Sequence, residues 1–374
     1  MKKTLLLFIT LLTITVTNAQ LVAGDTFEDS LYQYSVSTAA EAGSPNTVSI
    51  IGTVDGATIP NDLVIPVSVT HEGVEYTIKF IANGAFSGTA ITSLVVQGDA
   101  VPGNQAFFNC ASLTSVSFPV ATGDLGRQAF RNCTALTSVS IPNITSLNVQ
   151  TFRNCTALEN IDLPSVSKIG LGIGEGLTFW QSAALKTVNM PVIDSIYVGA
   201  FNGTGLTSIT LPASLDFLDE TNYNMFRGIS TLAEVIVESP TPLPLTYNPA
   251  GDAGVNSIFN TALSTATLKV TGAENVAAYQ QADVWKDFSG FALGVESQEL
   301  IAVNAYPNPV KNKLYFRSDD VDSVEIYNIL GAKISSQKVV NGVDVSSLNR
   351  GIYLVKAKNN EGLAFKTIRI FKDL

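Results

Sequence analysis

Three cysteines stand in one repeated phrase: Phe107-Phe108-Asn109-Cys110, Phe130-Arg131-Asn132-Cys133 and Phe152-Arg153-Asn154-Cys155. Thiols at a fixed spacing can ligate zinc, pair as a disulfide or act as a nucleophile. Zinc takes four ligands arriving from different directions. The one histidine of the chain, His71, lies well upstream, before a turn-like Glu72-Gly73. A nucleophile needs a base within hydrogen-bond reach, and no Cys-His or Ser-His-Asp set can be built from that histidine. Residues at one position of a repeat fall one above another, about 4.8 Å apart if a strand carries each copy. That placement suits a packed column of small buried hydrophobes, a common role of free cysteine. A disulfide among Cys110, Cys133 and Cys155 stays open. The adjoining Asn109, Asn132 and Asn154 are expected to bond backbone at the same corners. A carboxylate pair could hydrolyse glycosides without a histidine, but no acids form a recognisable constellation. The glycine-rich stretch 170–176 lacks the Gly-Lys-Ser/Thr ending of a phosphate loop. These residues point to no catalytic group, no metal and no cofactor.

The elements that carry the phrase repeat with it. Anchors Phe86, Phe107, Phe130, Phe152, Phe179, Phe201 and Phe226 are spaced by 21, 23, 22, 27, 22 and 25 residues. Behind them run Leu136-x-x-Val139-x-Ile141, Leu158-x-x-Ile161-x-Leu163 and Leu206-x-x-Ile209-x-Leu211. Period-two alternation turns Val139 and Ile141 inward and Ser140 outward. Pro119, Pro142, Pro164, Pro191 and Pro212 then end each strand, because proline has no N–H for a ladder. Apolar residues return at Ile144 and Leu147, Val166 and Ile169, Ile193 and Ile196, to line the other side of each coil. A unit this short cannot bury its own apolar face, so copies must stack into a solenoid with one short strand each. Extra residues within 170–176 and near 219–222 should emerge as surface loops.

The phrase Ala129-Phe130-Arg131-Asn132-Cys133-Thr134-Ala135-Leu136-Thr137-Ser138-Val139-Ser140-Ile141-Pro142 resembles the BspA-type leucine-rich repeats of bacterial cell-surface proteins. The resemblance spans roughly residues 78–240. It implies a mainly β fold, a leucine-rich repeat solenoid with a cap at each end. Residues 20–80 read as an N-terminal β cap with strands at Tyr32–Val36, Val48–Ile51 and Val74–Phe80. Repeats fill 81–240, and 241–294 form the C-terminal cap. There Thr267–Val270 reads as the last strand, Ala273–Ala282 as a helix, and Trp285 and Phe288 close the stack. Without caps both ends would expose core and an unpaired strand edge.

Both termini carry their own signals. Met1-Lys2-Lys3, a roughly 12-residue apolar run and Thr17-Asn18-Ala19-Gln20 read as a secretory leader, residues 1–19, cut between Ala19 and Gln20. The run is too short to span a bilayer, which takes roughly 20 residues. A linker at 295–302 leads to a tail at 303–374, a small immunoglobulin-like β-sandwich of short strands split by Asn-Gly and Gly turns. Its Tyr306-Pro307-Asn308-Pro309, Gly331, Gly351 and Tyr353 make it similar to the C-terminal sorting domain of the type IX secretion system of Bacteroidetes. That resemblance implies type IX machinery and a sortase-like peptidase as partners. It also implies a body released or held at the outer-membrane surface.

Charge divides the chain at the same place. Residues 21–300 hold 9 basic and 25 acidic side chains, net −16, and residues 301–374 hold 11 and 7, net +4. An acidic body argues against nucleic acid or anionic lipid as partner. With 46% apolar and 14% charged residues the chain is not of disordered composition. The outward strand column should hold Ser117, Ser140, Asp162, Asn189 and Thr210, with Val95 and Ile236 at its ends. Thr114, Thr137, Glu159, Lys186, Thr207 and Glu234 should flank it. Solenoids bind along such faces. The expected function is a non-catalytic binding or adhesion module, a monomer and not an integral membrane protein, with a surface protein or glycan as ligand. Alternatives are a structural surface-layer or biofilm component, and an extracellular glycan-degrading enzyme or its accessory subunit.

Overall fold

The computed structural model describes residues 21–38, 46–171, 176–220, 225–247, 257–260, 262–294, 305–306, 310–316, 321–328, 333–358, 360 and 364–372. The expected leader, with Ala19 and Gln20, lies outside the described residues, as do Pro307, Asn308, Pro309 and Gly331 of the tail motif. Two compact units form, residues 1–294 and 295–374.

In the first unit a sheet of strands Thr26–Glu28, Tyr32–Thr38, Thr47–Thr53, Val74–Ile81 and Ser68–His71 covers the start of the solenoid. Glu72 and Gly73, both at positive φ, close a tight hairpin between Ser68–His71 and Val74–Ile81. His71 stacks on Phe27 at 4.3 Å between ring centres. The front sheet begins earlier than the repeat phrase does: Asp62–Ile65 pairs in parallel with Ser93–Val96. It also ends later, because Gly290–Gly294 pairs beyond Thr267–Thr271. The helical reading of 273–282 shrinks to a 3-10 turn, Ala273–Asn275, and one α turn, Val276–Tyr279.

Each coil carries more strand than expected. A second parallel sheet runs along the back through Gly123–Leu125, Ile144–Asn148, Lys168–Leu171, Ser195–Ile196 and Phe217–Leu218. The apolar residues after each proline build it, and Ile144, Leu147, Ile169, Ile193 and Ile196 are fully buried. The phenylalanine corner is the spine. Phe86, Phe107, Phe130, Phe152, Phe179, Phe201 and Phe226 stack face to face, 5.3–5.8 Å apart and within 9° of parallel. Phe259 extends the stack by one more coil at 5.2 Å. Tyr32 meets Phe86 edge-on at one end, while Trp285 and Phe288 tilt against Phe259 at the other. Each ring buried in this way stabilises the fold by about 1.5–3 kcal/mol.

Residues two before and two after the anchor lie in the left-handed region. Gln105, Gln128 and Gln150 have φ of 58–59°, and Asn109, Asn132 and Asn154 of 59–63°. This turns the N–H groups on either side of each anchor toward the next coil. Gln128, Phe130 and Asn132 donate to the carbonyls of Val149, Thr151 and Arg153 at 2.8–3.0 Å. Backbone approach is close beside the corner: a Cβ on Gly126 would sit 2.3 Å from the carbonyl carbon of Gly103.

The tail unit has two sheets. Ala305–Tyr306, Lys313–Phe316 and Val343–Asp344 form one, and Lys333–Lys338, Ser323–Asn328, Gly351–Lys358 and Ala364–Lys372 form the other. Between them lies a separate core that includes Leu314, Val324, Ile326, Val343, Val355 and Ile370. Tyr306 lies in the first sheet, and Gly351 and Tyr353 in the second. Glu325 accepts hydrogen bonds from Lys333, Tyr327 and Lys358, which pull its carboxyl down to about 2.

Candidate ligand-binding face

The cysteine column is structural in its contacts. Cys110, Cys133 and Cys155 are fully buried free thiols. Their Sγ atoms donate to the carbonyls of Phe86, Phe107 and Phe130 at 3.2–3.3 Å. Burial pushes all three thiols up. The asparagines do not bond backbone through their side chains as expected. Asn132 Nδ2 donates to Asn109 Oδ1 at 2.7 Å and Asn154 Nδ2 to Asn132 Oδ1 at 2.8 Å, a ladder of amides. Asparagine serves here because it tolerates the left-handed backbone and still supplies both a donor and an acceptor. Among the described residues no cluster of three His, Cys, Asp or Glu could hold a metal ion.

Strand register defines the front face. The outward column expected from the sequence is continuous in register within each sheet: Val64 opposite Val95 opposite Ser117 opposite Ser140, then Asp162 opposite Asn189, then Thr210 opposite Ile236. A second outward column runs beside it and was not anticipated: Asp62, Ser93, Ser115 and Ser138, then Asn160 and Thr187, then Ser208 and Glu234. The same alternation that turned Ser140 outward also turns Ser138 outward, so the signal was present. Glu234 belongs to this column, opposite Ser208, and not beside Thr207. The outer row is partly committed to the backbone: Thr114 Oγ1 donates to Thr92 O at 2.8 Å and Thr137 Oγ1 to Thr114 O at 3.1 Å.

The face is not a uniform ladder. Strands Ser138–Ser140 and Asn160–Asp162 belong to different sheets, and among the described residues no backbone hydrogen bond joins them. Val139 is only partly buried, whereas its neighbour Val116 is 2% exposed. An open depression of about 370 Å³ lies there, lined by Thr137, Ser138, Val139, Asn160, Ile161, Asp162, Thr187 and Asn189. Its polar groups are held in pairs. Asn189 Nδ2 donates to Asp162 Oδ1 and Thr187 Oγ1 to Asn160 Oδ1, both at 2.6 Å. Glu159 and Lys186 form an ion pair at 3.1 Å, each about half exposed. Of the residues expected on the face, Asp162 and Asn189 meet in the depression. Ser117, Ser140 and Thr210 share their column but do not line it.

Residues 79–173 and 171–242 match the BspA-type leucine-rich repeat region, in six copies, and residues 304–370 match the secretion system C-terminal sorting domain. Among solved structures, a leucine-rich cell-surface protein of Faecalibacterium prausnitzii A2-165 is 22% identical, with a TM-score of 0.51 over 66% of this chain and 70% of that one. A leucine-rich repeat protein of Bacteroides capillosus is 27% identical over 44% of this chain and 97% of that one, with a TM-score of 0.28. One of Bacteroides ovatus is 18% identical over 65% and 78%, with a TM-score of 0.31. No curated protein matches the chain. Among the described residues no helix is long and apolar enough to cross a membrane. Residues 79–242 thus form a BspA-type leucine-rich repeat region and residues 304–370 a type IX secretion-system sorting domain, a tail that implies secretion or display at the cell surface.

Proposed function

We propose that this protein is a non-catalytic binding or adhesion module whose ligand, a surface glycan or protein, seats on the front face at the depression between Ser138–Ser140 and Asn160–Asp162. The observation that carries this reading is the depression itself, where the ladder parts and a polar rim surrounds partly uncovered Val139 and buried Ile161. Asp162 and Asn160 offer acceptors, Asn189 and Thr187 offer donors, and each pair is held in place by its own hydrogen bond. Such a rim with an apolar floor contacts a ligand by shallow multipoint hydrogen bonding and bridging water. Export begins with removal of residues 1–19 and ends with handling of the tail by the type IX machinery. A sortase-like peptidase then cuts near residue 303. The body works as a monomer.

The test is a glycan and protein array probed with the full chain, followed by titration of each hit. Asp162→Ala combined with Asn189→Ala should weaken a true ligand about tenfold or more. Unchanged binding in the double variant moves the ligand off this face. Absence of any ligand across both arrays favours a structural role, a reading that the backbone-committed hydroxyls of Thr114 and Thr137 would then explain.

A further inference from the structure

In the direction of the earlier coils, the front face continues from the depression onto four serine hydroxyls. Ser138 stands opposite Ser115 and Ser140 opposite Ser117, in register on adjoining strands. Ser115 and Ser117 are half-buried, and Ser138 and Ser140 are exposed. Among the described residues none of these four hydroxyls has a hydrogen-bond partner. Thr114 and Thr137 beside them are bonded to backbone instead. Neighbouring strands lie about 4.8 Å apart, and alternate residues of one strand about 6.8 Å, so the four serines form a regular grid of unspent donors and acceptors. Ser138 also lines the depression, which makes the two surfaces continuous. From the Ser115 row to the Thr187 row they extend about 14 Å, three strand spacings.

This surface carries almost no charge, although the body around it is acidic. Each of the six strands from Ser93–Val96 to Ser208–Leu211 turns two residues outward, and of these twelve only Asp162 is ionised. The lysines of the front face are neutralised on it, Lys186 by Glu159 at 3.1 Å and Lys269 by Glu234 at 2.6 Å. From Ser93 to Thr210 the face therefore offers an anionic ligand no unpaired cation, and a basic partner one unpaired carboxylate. What remains are hydroxyls and amides, which both donate and accept, as the hydroxyls of a sugar do. An extended peptide docks by main-chain bonds to an open strand edge. The serine grid lies on the face of strands whose backbones are already paired.

We infer that the ligand of the front face is an uncharged glycan chain, several sugars long, that sits in the depression and runs onto the serine grid. This inference rests on the depression being the ligand's seat. There the pairs Asp162–Asn189 and Asn160–Thr187 present fixed acceptors and donors. Val139 and Ile161 give the C–H face of a sugar ring an apolar floor. The serines take the hydroxyls of the sugars that follow, and because a serine hydroxyl rotates, the grid adapts to either direction of bonding. A neutral hydrogen bond exchanged for one with water contributes little by itself, so affinity comes from many contacts along a chain. The net charge of −16 over residues 21–300 repels an acidic glycan of the same length.

The test titrates the full chain with the disaccharide, tetrasaccharide and hexasaccharide of three neutral series, a glucan, a mannan and a galactan, and with a hexameric oligogalacturonate. One neutral series should bind, with affinity rising about tenfold or more from disaccharide to hexasaccharide. That affinity should change less than about twofold between about 50 and about 300 mM salt, because no ion pair forms. The oligogalacturonate should not bind. Ser117→Ala combined with Ser140→Ala should weaken the hexasaccharide about tenfold and leave the disaccharide unchanged. The inference is overturned if no neutral series binds, if the oligogalacturonate binds equally, if length adds nothing, or if the serine variant holds the hexasaccharide like the parent. A protein ligand lost on Asp162→Ala with Asn189→Ala, while no neutral series binds, keeps the seat and overturns the glycan. A neutral series that this variant binds like the parent removes the seat itself, and the inference with it.

Discussion

From the coil of Phe86 to that of Phe179, each phenylalanine corner donates three backbone hydrogen bonds to the next, while the front strands of the same coils lose their ladder twice. The corner holds its residue types nearly constant: an aromatic ring, a small residue three places on, and Gly, Asn or Gln at the left-handed positions, with Leu177 the exception. The front face varies from coil to coil, with Ser140, Asp162, Asn189 and Thr210 in one column. A backbone secured at one edge of each coil can leave the opposite edge unpaired without losing the stack. The difference separates the edge that secures the stack from the edge whose residues are free to vary.

Phe130→Ala should break that frame most severely. It removes the middle of the ring stack and should cost about 3–5 kcal/mol in denaturant unfolding of the full chain. A loss below about 1 kcal/mol would mean that the corner is not the spine. Asn132→Ala should cost about 2 kcal/mol, since it deletes two amide bonds of about 0.5–1.5 kcal/mol each and keeps a Cβ at positive φ. Asn132→Gly relieves the backbone part and should recover about 0.5–1 kcal/mol of it; equal losses in the two variants would show that the left-handed geometry does not matter. On the other side of the coil, Asp162→Ala with Asn189→Ala should change stability by no more than about 1 kcal/mol while ligand affinity drops. Comparable loss of stability at the face and at the corner would erase the contrast.

The smallest effect concerns the thiols. An exposed cysteine titrates near about 8.5, so its alkylation accelerates between about pH 7 and pH 9. Burial raises the three thiols of the corner, and the protonated form stays dominant across that range. Iodoacetamide labelling of the native chain should therefore stay slow at both pH values and rise only on unfolding. Labelling that climbs with pH in the native protein would show that the corner opens.

Much of the fold could be read from side-chain period. The anchors, the Leu-x-x-Val-x-Ile run and the prolines each have one job per coil, so their spacing reports the coil directly. The second strand of each coil was read only as an apolar lining. Runs as short as Ser195–Ile196 show no alternation, and only pairing with the coil on either side makes them strands. The first front strand, Asp62–Ile65, was missed because it precedes the first phenylalanine and lies within the cap. Asp162 and Asn189 were chosen for facing outward, which period two supplies. That they converge with Asn160 and Thr187 at a parted ladder could not be read, because parting depends on how two coils pack.

By itself the sequence determined the solenoid and the inward half of every coil. These follow from local chemistry: which residues are apolar, which tolerate positive φ, and which cannot donate to a ladder. Tertiary structure alone decided that asparagines bond to asparagines, that Arg131 and Arg153 stack on aromatic rings, and that the front ladder opens beside Val139. Each of these joins residues 22 to 27 positions apart on neighbouring coils. The contact exists only once the stack has set the distance between the coils, and no single repeat contains it.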